Sequence, residues 1–336
     1  MASAVYGAPP PALVTTPKDA RQVSPLVPGA DRLEDIPDAY LDAIAVAAPP
    51  GAIERRYVLA QALRALSTGG QMTAVAPKDK GGMRLRKELA AFGCAVSEQS
   101  LRHQRLCTCD RPASPIGLGQ AIAEGSPQPA PKLGLISQPG VFSWDRPDPG
   151  SVILGRHLAG LAGAGADLGC GVGVLALGVL AQPKVTALTL VDIDRRAVEA
   201  ARQNVTDLRA SFVQADLRLA SPPLSPAKAG AQAFSERLAP DDKAPGSPLS
   251  RGKADFSAPG LDFVIMNPPF HDGGDEDRGL GQAFIRAAAR LLRRGGVLRL
   301  VANIGLPYET TLSEAFDQTR RLEQGGGYKV LEGRRT

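Results

Sequence analysis

The chain has 336 residues, enough for two ordinary domains, and 43% hydrophobic composition allows each a core. Lys and Arg exceed Asp and Glu by 39 to 34, a mild basic bias compatible with a polyanionic partner, while 4% aromatic content excludes a surface built on many stacked bases. No apolar window is long enough to cross a bilayer and residues 1–30 lack the basic start and apolar middle of a signal peptide, so a cytoplasmic protein with no membrane partner is expected.

Residues 1–30 are rich in Pro and Ala, with Pro9, Pro10, Pro11, Pro17, Pro25 and Pro28, and predict a mobile arm. A domain is expected over 31–111. Helical patterning runs from Asp31 to Ala48 and again from Ile53 to Leu66, where Val58, Leu59, Ala62, Leu63 and Leu66 share one face. Gly69 and Gly70 stop that helix, Gln71–Ala76 is a strand, Lys78–Gly82 a loop, Met83–Phe92 a helix, and Cys94–Ser97 a second short strand. These make one βαβ unit. Its loop, Pro77-Lys78-Asp79-Lys80-Gly81-Gly82, is not a spaced-glycine nucleotide fingerprint. From Lys78 to Arg111 there are eight basic residues against four acidic ones, which fits either a solvated face or a contact to a phosphate backbone. Cys94, Cys107, Cys109 and Cys170 are too scattered for a disulfide framework, and Cys107-Thr-Cys109 has too few companions for a zinc site, so no metal is expected.

Residues 112–132 carry Pro112, Pro115, Pro127, Pro129 and Pro131 among glycines, the composition of a linker before a second domain at 133–336. Leu133–Ser137 is a strand, and Asp148-Pro149-Gly150-Ser151 opens a helix that Asp148 or Ser151 can cap. Asp167-Leu-Gly169-Cys-Gly171-Val-Gly173 then links a strand to a helix. The third glycine comes one residue too early for a dinucleotide loop, and an acid before the first glycine suits a cationic amino group better than a pyrophosphate. That combination points to the methionine end of S-adenosylmethionine. Asp192 ends the next strand, 23 residues after Gly169, where a carboxylate can accept ribose hydroxyls, with Asp194 as a competitor. Asp216 follows a third strand, Ser211–Ala215, within reach of an adenine amino group.

Residues 219–260 hold seven prolines among Ser, Ala and Gly and predict a disordered insertion. Leu261–Met266 is a buried strand that ends in Asn267-Pro268-Pro269-Phe270. Two prolines stiffen this turn, so an amide and a proline carbonyl are held in place beside an aromatic ring. Leu280–Arg293 is a helix, Val297–Val301 a strand, Thr310–Phe316 a helix, and Arg321–Glu323 with Tyr328–Leu331 a closing hairpin.

The Asp167-x-Gly-x-Gly-x-Gly173 loop, Asp192, Asp216 and Asn267-Pro-Pro-Phe270 resemble the motifs of class I S-adenosylmethionine-dependent methyltransferases that modify planar nitrogens. Pro139-Gly-Val-Phe-Ser143, Asp148-x-Gly150-Ser151, Asn267-Pro-Pro-Phe-His-Asp-Gly273, Val301-Ala-Asn303 and Leu306-Pro-Tyr308 narrow the resemblance to the small-subunit ribosomal RNA guanine-N2 methyltransferases. It covers 133–333 closely and 31–111 more weakly.

The resemblance implies an α/β, Rossmann-like seven-stranded sheet with a closing antiparallel hairpin, preceded by a smaller degenerate methyltransferase-like α/β domain. S-adenosylmethionine would be held by Asp167, Gly169, Gly171, Gly173, Asp192, Asp216 and Asn267, with Asn267, Pro268 and Phe270 catalytic. The expected substrate is ribosomal RNA of the small subunit and the expected state a monomer. Methylation of a protein glutamine or of adenine N6 is the alternative, since the same amide geometry serves any planar NH2. A non-catalytic RNA-binding assembly factor is the alternative from another class.

Overall fold

The protein is described from a computed structural model, which places residues 1–218, 260–269, 271–272, 275–276 and 278–336. The expectations for Phe270 and for the insertion before Gly260 fall outside the described residues. Two compact units are formed, built mainly from Met1–Arg146 and from Pro147–Thr336.

The first unit contains β1 (Ser3–Tyr6), β2 (Arg21–Gln22), β3 (Leu41–Ala47), α1 (Ala52–Ala65), β4 (Leu66–Pro77), α2 (Met83–Ala91), β5 (Ser97–Leu101), β6 (Gln104–Asp110), α3 (Leu118–Gly125), β7 (Gln128–Ala130) and β8 (Leu135–Ser137). Six strands form one sheet in the order β2-β1-β3-β4-β6-β5, parallel from β2 to β4 and antiparallel where β6 meets β4 and β5.

Three expectations are corrected here. Residues 1–30 do not form a mobile arm: β1 lies between β2 and β3, with Ala4 and Tyr6 buried. A four-residue strand among prolines is too short to show a period. Leu41–Ala47 is a strand rather than part of a helix, because a run of small apolar residues buried on both faces satisfies either pattern. Residues 112–132 are not a bare linker, since α3 buries Ala121 in the same core as Tyr57 and Val58 of α1. The second short strand also lies later than expected, and β6 runs antiparallel to β4. The unit is therefore not closed by a parallel crossover.

The second unit contains α4 (Pro149–Gly155), β9 (Gly163–Leu168), α5 (Val174–Leu180), β10 (Val185–Asp192), α6 (Arg195–Asn204), β11 (Ala210–Gln214), β12 (Leu261–Met266), the short pair β13 (His271–Asp272) and β14 (Asp275–Glu276), α7 (Arg278–Leu291), β15 (Leu292–Asn303), α8 (Tyr308–Ala315), β16 (Gln318–Gly325) and β17 (Tyr328–Arg334). Its sheet runs β11-β10-β9-β12-β15-β17-β16, with a parallel body and an antiparallel closing hairpin, and so has the seven strands and the hairpin expected. Alternation along β12 feeds two cores. Val264 and Met266 pack with Phe284, Ile285 and Leu312 of α7 and α8, whereas Phe263 and Ile265 pack with Leu154, Ala176 and Val179 of α4 and α5.

The two units repeat one plan. β3 and β12 both begin Leu-Asp, and each aspartate accepts a backbone N–H from the neighbouring chain segment: Asp42 from Ala2 and Asp262 from Ala164, both at 2.8 Å. Each strand then pairs through a bulge with the strand after its helix, Leu41 with Leu66 and Leu261 with Leu292. A glycine pair fills each bulge. A Cβ on Gly70 would press on the carbonyls of Ser67 and Leu41, and one on Gly296 on those of Arg293 and Leu261. Gly7 and Gly169 follow β1 and β9 with φ of 74° and 76°. By the same register Val5 occupies the place of Asp167, and Ala47 that of Asn267. The first unit therefore keeps the backbone plan without the polar side chains.

Its proline loop is also occupied from within. Arg55, 1% exposed, donates to the carbonyls of Pro49 and Pro50 at 3.1 and 2.7 Å and is held by both Glu88 carboxylate oxygens. The fourth residue of α7, equivalent to Arg55 in α1, is Gly281, where any side chain would run into the Tyr308 hydroxyl.

Candidate active site

The site lies at the C-terminal ends of β9, β10 and β12, where an open parallel sheet presents its loops. After β9 the chain turns through three glycines with left-handed φ: Gly169 at 76°, Gly171 at 51° and Gly173 at 91°. They do different work. A Cβ on Gly171 would meet nothing within 4 Å and one on Gly169 nothing nearer than 3.6 Å, so these two line open space. A Cβ on Gly173 would lie 2.8 Å from Val205, so this glycine serves the packing of α5 against the end of α6. Gly169 N–H and Cys170 N–H donate to the Val191 carbonyl at 2.8 and 3.0 Å, tying the loop to the end of β10.

Asp167 is fully buried, and neither of its carboxylate oxygens has a hydrogen-bond partner among the described residues. Burial, with the Asp192 carboxylate as the lesser cause, pushes its pKa up to about 8. A buried acid with both oxygens unmet is a site for a cationic partner. Asp192 is half-buried and accepts the Gly171 N–H at 2.9 Å, which sets its carboxylate beside the loop. Cys170 is buried, and burial, with the Asp192 and Asp167 carboxylates as lesser causes, holds its thiol well above the ordinary range.

Two further acids are engaged locally. Asp194 is buried and takes the Arg196 guanidinium on both oxygens, so the competitor to Asp192 has its own partner. Asp216 takes the Arg218 backbone N–H at 2.9 Å and its guanidinium at 2.8 Å, which lowers its pKa. It thus stabilises a turn beyond β11.

Asn267 follows β12, beside the first glycine: its carbonyl oxygen would lie 3.8 Å from a Cβ on Gly169. Its side-chain amide is held twice. Nδ2 donates to Asp148 Oδ2 at 2.7 Å and to Ser151 Oγ at 2.9 Å. Asp148 is the N-cap of α4, and the same Oδ2 accepts the Ser151 N–H at 2.7 Å. A carboxylate cannot donate, so the amide nitrogen must face it and Oδ1 must face away. Pro268 is buried and Pro269 half-buried, which fixes the chain behind the amide. Asp148 and Ser151 carry a legible capping signal, but nothing in sequence spacing ties them to an asparagine more than a hundred positions away.

The methyltransferase small domain model matches residues 132–222 and 249–332. A ribosomal RNA small subunit methyltransferase C of Pseudomonas paraeruginosa is 31% identical over 318 residues, covering 94% of this chain and 86% of the relative. The chain belongs to the ribosomal RNA small subunit methyltransferase C family. The enzyme of that name from Pseudomonas entomophila is 30% identical over 307 residues, 89% of this chain and 81% of its own. The fold is that of a solved structure, the Thermus thermophilus 16S rRNA N2 G1207 methyltransferase in complex with AdoMet and guanosine. The two align with a TM-score of 0.73 over 100% of this chain and 88% of that one, at 23% identity. As a member of the methyltransferase C family, the chain is an S-adenosylmethionine-dependent methyltransferase of class I fold. Among its described residues no helix is long and apolar enough to cross a membrane.

Proposed function

We propose that this enzyme methylates the exocyclic N2 amino group of a guanine in small-subunit ribosomal RNA. The observation that carries the reading is the doubly held Asn267 amide, with its nitrogen fixed by Asp148 and Ser151 and its oxygen turned outward. Membership of the family and the guanosine bound by the Thermus relative support the choice of base.

The donor set suits S-adenosylmethionine. Asp167 meets its ammonium group, the open faces of Gly169 and Gly171 let the backbone come close, and Asp192 takes the ribose hydroxyls, with Asp216 toward the adenine. When bound, the cofactor supplies an electrophilic methyl group on a sulfonium. The chain must then make a poor nucleophile reactive. The N2 lone pair of guanine is delocalised into the ring, and positive charge builds on that nitrogen as the new bond forms. Asn267 Oδ1 and the Pro268 carbonyl accept the two N2 hydrogens. Both acceptors are fixed before the substrate arrives, so they stabilise the developing charge without reorganising. The methyl–sulfur bond would break as the methyl–nitrogen bond forms, leaving a neutral thioether, and the acidic methylated nitrogen then loses one proton to water, so no strong general base is required.

Asn267→Ala should abolish turnover while S-adenosylmethionine still binds nearly as tightly in calorimetry; retained turnover would overturn the assignment. The acceptor is identified by offering labelled cofactor with small ribosomal subunits, large subunits and an RNA-free protein extract. Label recovered as N2-methylguanosine from the small subunit is the expected result, and label confined to glutamine or to adenine would replace it.

A further inference from the structure

We propose that the first unit carries an RNA-binding surface of its own, formed by the Arg102-His103 turn, Lys78 and the outward face of α2, which holds phosphodiester groups of the substrate. It rests on the reading that the substrate is RNA. The β5–β6 hairpin closes in two residues, between the paired Leu101 and Gln104, and both are left-handed: φ is 46° at Arg102 and 63° at His103. Such turns favour glycine and asparagine, because a Cβ crowds the backbone there. The repeated hairpin in the second unit shows the unstrained solution, with Gly326 and Gly327 at φ 59° and 85° between Gly325 and Tyr328. The first unit thus places an arginine and a histidine at positions that disfavour any side chain. Both are exposed, and neither has a hydrogen bond or ion pair from its side chain among the described residues. Local strain without a structural partner points to a use outside the fold.

Three features gather further positive charge around the turn. The Lys78 N–H donates to the His103 carbonyl at 2.9 Å, which sets Lys78 beside the hairpin tip. Arg105 Nε lies 3.3 Å from Met83 Sδ and brings the start of β6 to the first residue of α2. On α2, Leu85 and Leu89 point inward, so Arg84 and Lys87, three residues apart, share the solvent face, and both are exposed. The first turn of α2 has no acidic residue, so the positive end of its dipole adds to the same field. Asp79 is exposed in this region, and Glu98 on β5 lies 4.0 Å from Arg105 Nε and offsets its charge in part. None of Arg102, His103, Lys78, Arg84, Lys87 and Arg105 is Phe, Tyr or Trp, so these residues offer no broad ring on which a base could stack. Guanidinium, imidazole and ammonium groups without such rings recognise phosphates rather than bases.

The test uses the full chain as wild type, as the double variant Arg102→Gly with His103→Gly, and as Arg84→Ala with Lys87→Ala. Each is titrated against transcribed small-subunit ribosomal RNA by filter binding from roughly 50 to 200 mM salt, the range over which phosphate neutralisation shows itself. Each pair is expected to weaken binding about three- to tenfold and to flatten the dependence of log affinity on log salt by about 0.7–0.9 for each phosphate that the variant no longer neutralises. The glycine pair should melt no lower than wild type, since glycine relieves the turn. Unchanged affinity and salt slope in both variants overturn the proposal, as does a glycine variant that melts earlier yet binds as tightly. Methyl incorporation by wild type, read as N2-methylguanosine, is scored separately. Its absence would remove the proposed reaction and leave the binding result to stand or fall alone.

Discussion

Replacing Asp148 tests whether the orientation of Asn267, and not merely its presence, sets the rate. Asp148 Oδ2 accepts both the Asn267 amide and the Ser151 N–H, each at 2.7 Å, so Asp148→Asn keeps the shape and an acceptor oxygen but removes the charge. A hydrogen bond to a charged group contributes about 1.5–3 kcal/mol and a neutral one about 0.5–1.5, so the preference for the working amide orientation falls by about 1–1.5 kcal/mol. If turnover follows that preference, kcat drops about five- to tenfold. Asp148→Ala removes the acceptor altogether. A loss of about 2–3 kcal/mol there corresponds to roughly 30- to 150-fold in kcat, with about 1 kcal/mol of stability lost with the α4 cap. The assay is kcat at saturating RNA and cofactor, with the cofactor Kd from calorimetry and Tm measured alongside. Graded loss of kcat, alanine below asparagine, with an unchanged cofactor Kd is the expected result. An alanine variant that stays folded and keeps kcat within about twofold of wild type would refute the reasoning.

Three further outcomes follow from two buried groups. Because burial holds Asp167 at about pKa 8, the free enzyme carries a proton there at neutral pH that a bound ammonium must displace. Cofactor affinity should therefore rise with pH up to about 8, by up to tenfold per unit, and calorimetry in buffers of different ionisation heat should show proton release; a flat profile would exclude Asp167 as the ammonium partner. The same raised pKa means that the native state holds a proton the unfolded chain loses above about pH 4, so this group lowers stability progressively from about pH 4 to 8, and Asp167→Asn should remove that slope from urea melts. Arg55→Met leaves Glu88 and the Pro49 and Pro50 carbonyls without their buried partner and should destabilise the first unit by about 3–5 kcal/mol, read as an earlier unfolding step in hydrogen exchange across α1 and β3.

The second unit was readable because its chemistry sits on strand ends. β10 and β12 carry apolar runs that stop at Asp192 and Asn267, while β9, a run of small residues holding Asp167, is marked by the glycine loop that follows it. The first unit was harder for a physical reason. Ser3–Tyr6 is too short to show a period, and Leu41–Ala47 is buried on both sides, so its pattern fits a helix as well as a strand. The union of Asp148 and Ser151 with Asn267 was not legible either. It depends on a helix cap and a strand end meeting across the sheet, and only the helix cap leaves a local signal.

The repeat explains which positions the first unit kept. Asp42, Gly7 and Gly70 match Asp262, Gly169 and Gly296, and all six serve backbone geometry: a strand-edge N–H that needs an acceptor, a left-handed turn, a bulge with no room for a Cβ. The positions that differ serve a ligand. Val5 cannot meet an ammonium as Asp167 can, Ala47 offers no amide, and the proline carbonyls behind it are filled by Arg55. A fold can lose its site one side chain at a time provided each exposed backbone acceptor finds a new donor, and Arg55 is that donor here. The Arg102-His103 turn runs the other way, because it replaces the low-strain residues of the second hairpin with side chains that the fold does not need. Loss of a cofactor cradle and gain of a charged turn within the same unit are together what a domain released from catalysis and held to RNA binding would show.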